Sequence, residues 1–426
     1  MESLDLNKFP RIELPRFAHI KQNFSREKVE DIPGEVRRKM APHLKDLSGK
    51  RIAVGVGSRG VANIALIAKT VVDTLKEAGA SPFIIPVMGS HGGACAEGQA
   101  ELLAALGVCE ETMGVPVDAS MDVELIGELE PGFPIYVAKS ALQADGIVII
   151  PRVKPHTCFR GPIESGICKM LVIGLGKQIG ADSVHSHGFA SFTELIPKIG
   201  CMIAKKVNIL FAVALVENAF EDTCKIEVVP KADILLLERE TALLKDARKS
   251  MGRIMFDEFD VLIIDEIGKN ISGDGQDPNV TGLYITKCVS GGPKFKKGVI
   301  LDVTEESHGN ANGVGMVDVT TRKLFDKIDY ISMYTNIFTS TEVEAAKIPL
   351  VAATSEDAIR IAVKMCNGVK AGQHRIVWIK NTLELTDVYI SEPLLTEAIS
   401  NPDIEVVSKP EILTFVNGEP QKALIG

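Results

Sequence analysis

The sequence predicts an α/β protein: two α/β domains with mostly parallel, Rossmann-like sheets and an active-site cleft between them. Short β-branched apolar runs, glycine-rich turns and helical stretches alternate along the chain. Runs such as "DVLIIDEIG" are of the kind that a parallel sheet with helices on both faces buries. At 426 residues the chain is also too long for one small core.

The elements follow in order. "RIAVGVGSRG" (51–60) reads as a strand and turn leading into "VANIALIAKTVVDTLKEAGA", whose apolar positions recur at helical spacing and whose end carries glycine. "PFIIPVMGSHGG" and "GIVIIPRVKPH" open the next units, and "KVNILFAVALV", "DVLIIDEIG" and "KGVILDVTE" continue the alternation. The turn-rich "ISGDGQDPNVTG" (271–282) then suggests a hinge near 280–290. The expected domains are therefore 1–283 and 284–395, the second closed by "RIVWIKNTLELTDVYIS" (375–391). Residues 396–426 are expected to return to the first domain.

The formal net charge of −9 gives a field that repels phosphates, which argues against nucleic acid and anionic membranes as partners. The N-terminus, "MESLDLNKFPRIELPRF", lacks the basic start and apolar core of a signal peptide. Runs such as "ILFAVALV" fall far short of the ~20 residues that span a bilayer. A cytoplasmic location is expected. The eight cysteines never form a C-x-x-C pair, which speaks against an iron–sulfur cluster or thiolate zinc site and for mostly buried thiols.

In open α/β sheets ligands bind beyond the carboxyl ends of the strands, so residues just after the apolar runs are the candidates for chemistry. Gly57-Ser58-Arg59-Gly60 follows "IAVGV" and can cradle a phosphate, with Arg59 as a charged donor; a plain tight turn is the simpler alternative. His91, set among glycines after "FIIPVM", is open to a ligand and suits an acid or base, though a loop histidine can equally be structural. His156 follows "GIVIIPRVKP" by the same logic. Two strands thus deliver one histidine each, a pairing that can remove a proton on one face of a substrate and return it on the other. Thirteen residues on, Lys169 in "SGICKMLVIG" has apolar neighbours that favour a nucleophilic free amine, or else it snorkels to solvent. His185 and His187 form an H-x-H pair in "GADSVHSHGF", read as loop or frayed helix, where one is expected to be a metal ligand and the other a bystander. His19, His43 and His374 read as surface residues, and His308 in "EESHGNANGVG" as a candidate to line the cleft.

On Gly89-Ser90-His91, the loop with His156, Ser165-Gly166 and Lys169, and His185 sixteen residues after that lysine, the sequence resembles the nickel-pincer lactate racemase family. The resemblance implies a racemase or epimerase that inverts C2 of a 2-hydroxy acid by reversible hydride transfer, through a 2-keto acid. The cofactor it implies is a nickel-pincer nucleotide, nickel pyridinium-3,5-bisthiocarboxylic acid mononucleotide, joined covalently to Lys169. His185 is then the ligand to nickel, an ion that imidazole suits. His91 and His156 are the acid/base pair. Arg59, with Ser58, Ser165 and Gly166, contacts the nucleotide, and Lys287, Arg160 and His308 are substrate contacts. Cofactor-maturation proteins are expected as transient partners, and a homo-oligomer is possible. Val56 stands where the family has an acidic residue, the His156–Lys169 spacing is three residues longer, and Ile167-Cys168 replace Gly-Arg before the lysine. These departures adjoin the substrate and speak against lactate itself; Arg152, Lys154 and Arg160 can bind a second carboxylate, and "GDGQDPN" and "SHGNANG" offer polar groups for a polyol, so a larger 2-hydroxy acid, a sugar acid or hydroxy diacid, is expected. The rival readings are a metal-dependent hydrolase built on a His185/His187 chelate and a non-enzymatic nickel-nucleotide binding protein.

Overall fold

The computed structural model describes residues 12–58 and 60–421. The chain forms two compact units: residues 26–251, and residues 252–426 together with residues 1–25. The expected boundary at 283/284 falls inside the second of these. The turn-rich stretch at 271–282 follows a strand of that unit's own sheet, and the change of unit comes earlier, directly after helix Glu238–Ser250. It is the N-terminal strand, and not residues 396–426, that joins a unit distant in sequence.

In chain order the strands are β1 (Phe17–Gln22), β2 (Arg51–Val56), β3 (Ser81–Pro86), β4 (Val123–Glu128), β5 (Pro134–Ala138), β6 (Gly146–Ile150), β7 (Ile209–Glu217) and β8 (Thr223–Pro230). They continue with β9 (Val261–Ile267), β10 (Lys297–Val303), β11 (Val319–Thr321), β12 (Leu350–Ala352), β13 (Ile376–Ile379), β14 (Asp387–Ser391) and β15 (Ile404–Val406).

In unit 26–251 the main sheet has the order β3-β2-β6-β7-β8, parallel except for the final β7/β8 pair. The inner strands β2, β6 and β7 are largely apolar because both faces are covered. Ile52, Val54 and Val56 of β2 and Val148 and Ile150 of β6 point into one core with helix Ile64–Glu77. Ala53 of β2 and Ile147 and Ile149 of β6 point into the other, with helix Phe192–Lys206. The hairpin β4/β5 stands apart from this sheet.

The second unit carries an eight-stranded sheet, β12-β11-β10-β9-β13-β14-β1-β15. The pairs from β12 to β13 are parallel, and those from β13 to β15 are antiparallel. Trp378 is fully buried in its core and donates its indole N–H to Asp265 Oδ1 at 2.7 Å. Two histidines expected at the surface are buried in this unit: His19 lies against Asp387 at 2.7 Å and stacks on Tyr389, and His374 is 5% exposed. The eight cysteines are free thiols, of which Cys158, Cys168 and Cys366 are buried. The expectation that most are buried does not hold: Cys109, Cys201 and Cys224 are half-buried, and Cys95 and Cys288 are exposed. No helix among the described residues is long and apolar enough to cross a membrane.

Candidate active site

Strand order in unit 26–251 reverses between β2 and β6, the point at which an open α/β sheet leaves a crevice beyond its strand ends. Three neighbouring strands deliver their loops there: Gly57-Ser58 after β2, the loop with His91 after β3, and residues 151–166 after β6. Glu217 at the end of β7 ties two of these loops together. Its carboxylate accepts the Ala62 N–H at 2.7 Å and pairs with Arg152. The Arg152 charge is therefore matched within the protein.

The His91 loop owes its path to glycine. Gly89, Gly92 and Gly93 all have positive φ, and a Cβ on Gly92 would lie 2.6 Å from the Gly98 carbonyl carbon. His91 is exposed, and its Nδ1 meets Ser58 Oγ, so the loops after β2 and β3 touch through these two side chains.

His156 is 8% exposed, and its loop is built around a buried carboxylate. Glu164 accepts the His156 N–H at 2.7 Å and the Gly161 N–H at 3.1 Å, and it pairs with Arg160 and Arg248. Arg160 also donates to the His156 carbonyl at 2.6 Å, so it braces the loop from within. The Cys158 N–H donates to His156 Nδ1 at 3.0 Å, and Lys169 Nζ lies 2.6 Å from Nε2. A neutral imidazole that accepts at Nδ1 carries its proton at Nε2. The contact therefore sets the Lys169 amine directly against the imidazole.

Lys169 ends the short helix Ile167–Lys169, which passes into a π turn over Met170–Gly174. Such turns are frequent at functional sites. The buried Glu240 accepts the Cys168 N–H at 3.1 Å with both carboxylate oxygens. It approaches so closely that a Cβ on Gly166 would lie 2.5 Å from it, which is why glycine precedes this helix. Ser165 anchors the segment by accepting the Lys154 N–H at 3.1 Å.

Burial raises the Glu240 pKa from 4.5 to about 7, against the hydrogen bonds from Cys168. Between those values the folded protein holds a proton that the unfolded chain has released, so stability falls as pH rises through the window and levels off above about 7. The shift corresponds to about 3 kcal/mol. Glu240→Gln removes the titration but keeps an acceptor for Cys168. The stability difference between wild type and variant is expected to change by that amount across pH 4.5–7 in denaturant titrations; a pH-independent difference would refute a neutral Glu240.

His185 closes helix Lys177–His185, and His187 lies beyond it. The ring keeps an exposed edge, yet burial lowers its pKa, and the nearby Lys169, when charged, adds to this. His185 Nδ1 donates to the Ala181 carbonyl at 2.7 Å, which leaves the Nε2 lone pair for a metal. Phe189 joins the two histidines, its centroid 5.7 Å from His185 and 6.2 Å from His156. His187 instead stacks on Phe133 at 4.1 Å. This packing does not support a His185/His187 chelate, and among the described residues no three His, Cys, Asp or Glu side chains form a metal-binding group.

The fold thus gathers Ser58, His91, His156, Ser165, Gly166, Lys169 and His185 at one sheet edge, with Arg160 behind them. Arg59 lies outside the described residues. Lys287 and His308 belong to the other unit, both exposed; His308 has a left-handed backbone just past β10. Sequence reasoning missed the buried polar residues beneath the loops. Glu164, Glu240 and Gln99 sit in unremarkable helical or loop sequence, and only the isolated charge in an apolar stretch could have flagged Lys177.

No protein-family model and no curated protein sequence matches the chain. Solved structures are similar to it, among them these two. The lactate racemase apoprotein from Thermoanaerobacterium thermosaccharolyticum aligns with a TM-score of 0.52 at 15% identity, covering 86% of this chain and 99% of that one. A protein from Thermotoga maritima aligns with a TM-score of 0.51 at 14% identity, covering 83% and 97%. The chain therefore shares its fold with a lactate racemase apoprotein.

Proposed function

We propose that the protein is a racemase or epimerase that inverts the C2 carbon of a 2-hydroxy acid with the help of a nickel-pincer nucleotide. The observation that carries this is the grouping of Lys169, His156 and His185 at one sheet edge, in a chain with the fold of a lactate racemase apoprotein. The residues fit such a group. The Lys169 amine lies 2.6 Å from His156 Nε2, His185 has Nε2 available, and a Cβ on Gly60 would meet nothing within 4 Å.

When bound, the nucleotide supplies an acceptor for the α-hydride, which side chains alone lack. Lys169 would hold it covalently, and His185 Nε2 would be the ligand to its nickel. Ser58, Ser165 and Gly166 are the proposed nucleotide contacts among the described residues. His91 and His156 come from different strands, and each takes or returns the substrate's hydroxyl proton, one for each enantiomer. The departures around Lys169 favour an acid larger than lactate.

Proton NMR in deuterated water, with protein coexpressed with the nucleotide-making enzymes and a panel of 2-hydroxy acids, tests the reading. Stereoinversion with the α-proton retained is expected. Inversion with wash-out of that proton, or no inversion of any member, sinks it.

A further inference from the structure

Lys177 is fully buried and has a left-handed backbone, φ 53°, at the first residue of the helix that ends on His185. Each feature is unfavourable. A left-handed non-glycine residue costs roughly 1–2 kcal/mol, and a buried ammonium is penalised unless it is well partnered. Its two acceptors are neutral: the Pro86 carbonyl at 2.8 Å and Gln99 Oε1 at 3.1 Å. Burial lowers its pKa to about 8. Methionine would fill the same space at lower cost, so the amine is there for its hydrogen bonds.

Those bonds lead to the His91 loop. Gln99 is itself fully buried and donates Nε2 to the Gly89 carbonyl at 2.8 Å and to the His91 carbonyl at 3.2 Å. Pro86 is the last residue of β3, from which the loop departs. The Gly89 N–H also donates to the Gly174 carbonyl at 3.3 Å, three residues before Lys177. One amine therefore joins the end of β3, the loop carrying His91 and the start of the helix carrying His185.

We propose that Lys177 and Gln99 are a positioning pair that holds the His91 backbone in register with the Lys169–His185 segment. The assignment rests on reading His91 as an acid/base residue. A side chain that only filled the core would have no need of Gln99, whose amide is spent on two carbonyls of that loop.

Hydrogen–deuterium exchange of the full chain tests the pair in Lys177→Met and Gln99→Met. At least tenfold faster exchange is expected in residues 88–95, with residues 154–158 unchanged. In nucleotide-loaded protein kcat is expected to fall at least tenfold with KM within twofold. Faster exchange confined to residues 177–185 would mean that Lys177 only stabilises its own helix, and would overturn the proposal; so would unchanged exchange in both loops. Should Lys177→Met fail to fold, Gln99→Met decides alone, because it leaves the Lys177–Pro86 bond intact. If the wild type inverts no 2-hydroxy acid, the proposed reaction falls, while the exchange result still judges the pair.

Discussion

Lys169→Ala, coexpressed with the nucleotide-making enzymes, is expected to show the unmodified mass of the chain, where the wild type carries a covalent adduct on this residue. Inversion of 2-hydroxy acids is expected to vanish with it, because the hydride acceptor resides in the cofactor and no side chain replaces it. The fold should survive. Lys169 is half-buried, and losing its contact with His156 costs of the order of 1 kcal/mol. Intact mass and circular dichroism on the same sample separate loss of the tether from loss of the fold. An adduct of unchanged mass on the variant would move the attachment elsewhere.

His91→Ala and His156→Ala should each lower the inversion rate by roughly 10²–10⁴, the usual contribution of a positioned acid or base. Both directions of the reaction are expected to fall together, since each conversion needs one residue to take the proton and the other to return it. Nickel content by elemental analysis should remain that of the wild type, because neither residue is the proposed ligand. The two variants differ in their structural consequences. His91 is exposed and touches Ser58, whereas His156 accepts the Cys158 N–H inside a packed loop, so His156→Ala also leaves that donor without its acceptor. A variant that retains more than a tenth of the rate is not missing an acid/base residue.

Much of this site was legible because parallel sheets put loops at one edge and strands announce themselves by apolar runs. His91 and His156 could be located as strand-end residues without knowing the sheet order. What brings them together is that β3, β2 and β6 are neighbours, which only the structure supplies. The H-x-H pair could be split in principle, yet the reason that His187 turns away is Phe133, more than 50 residues earlier and invisible to local pattern. The unit boundary was misplaced because the glycine-rich stretch at 271–282 looks like a linker, while the largely apolar "MGRIMF" at 251–256, where the unit changes, does not. Lys177 looked incidental because its partners, Pro86 and Gln99, lie about 80 to 90 residues upstream.

The strand β1 bears on the order in which the chain can assemble. Its neighbours are β14, with Phe17 opposite Ser391, and β15, with Ile20 opposite Val406. At about 5–20 residues/s, a ribosome delivers those partners roughly 20 to 75 s after β1 itself emerges. Residues 26–251 form a contiguous unit, so the proposed cofactor segment can be complete while β1 still waits for its partners. Until residues 387–406 arrive, β1 presents an unpaired edge of the kind that chaperones shield and that misassembly exploits.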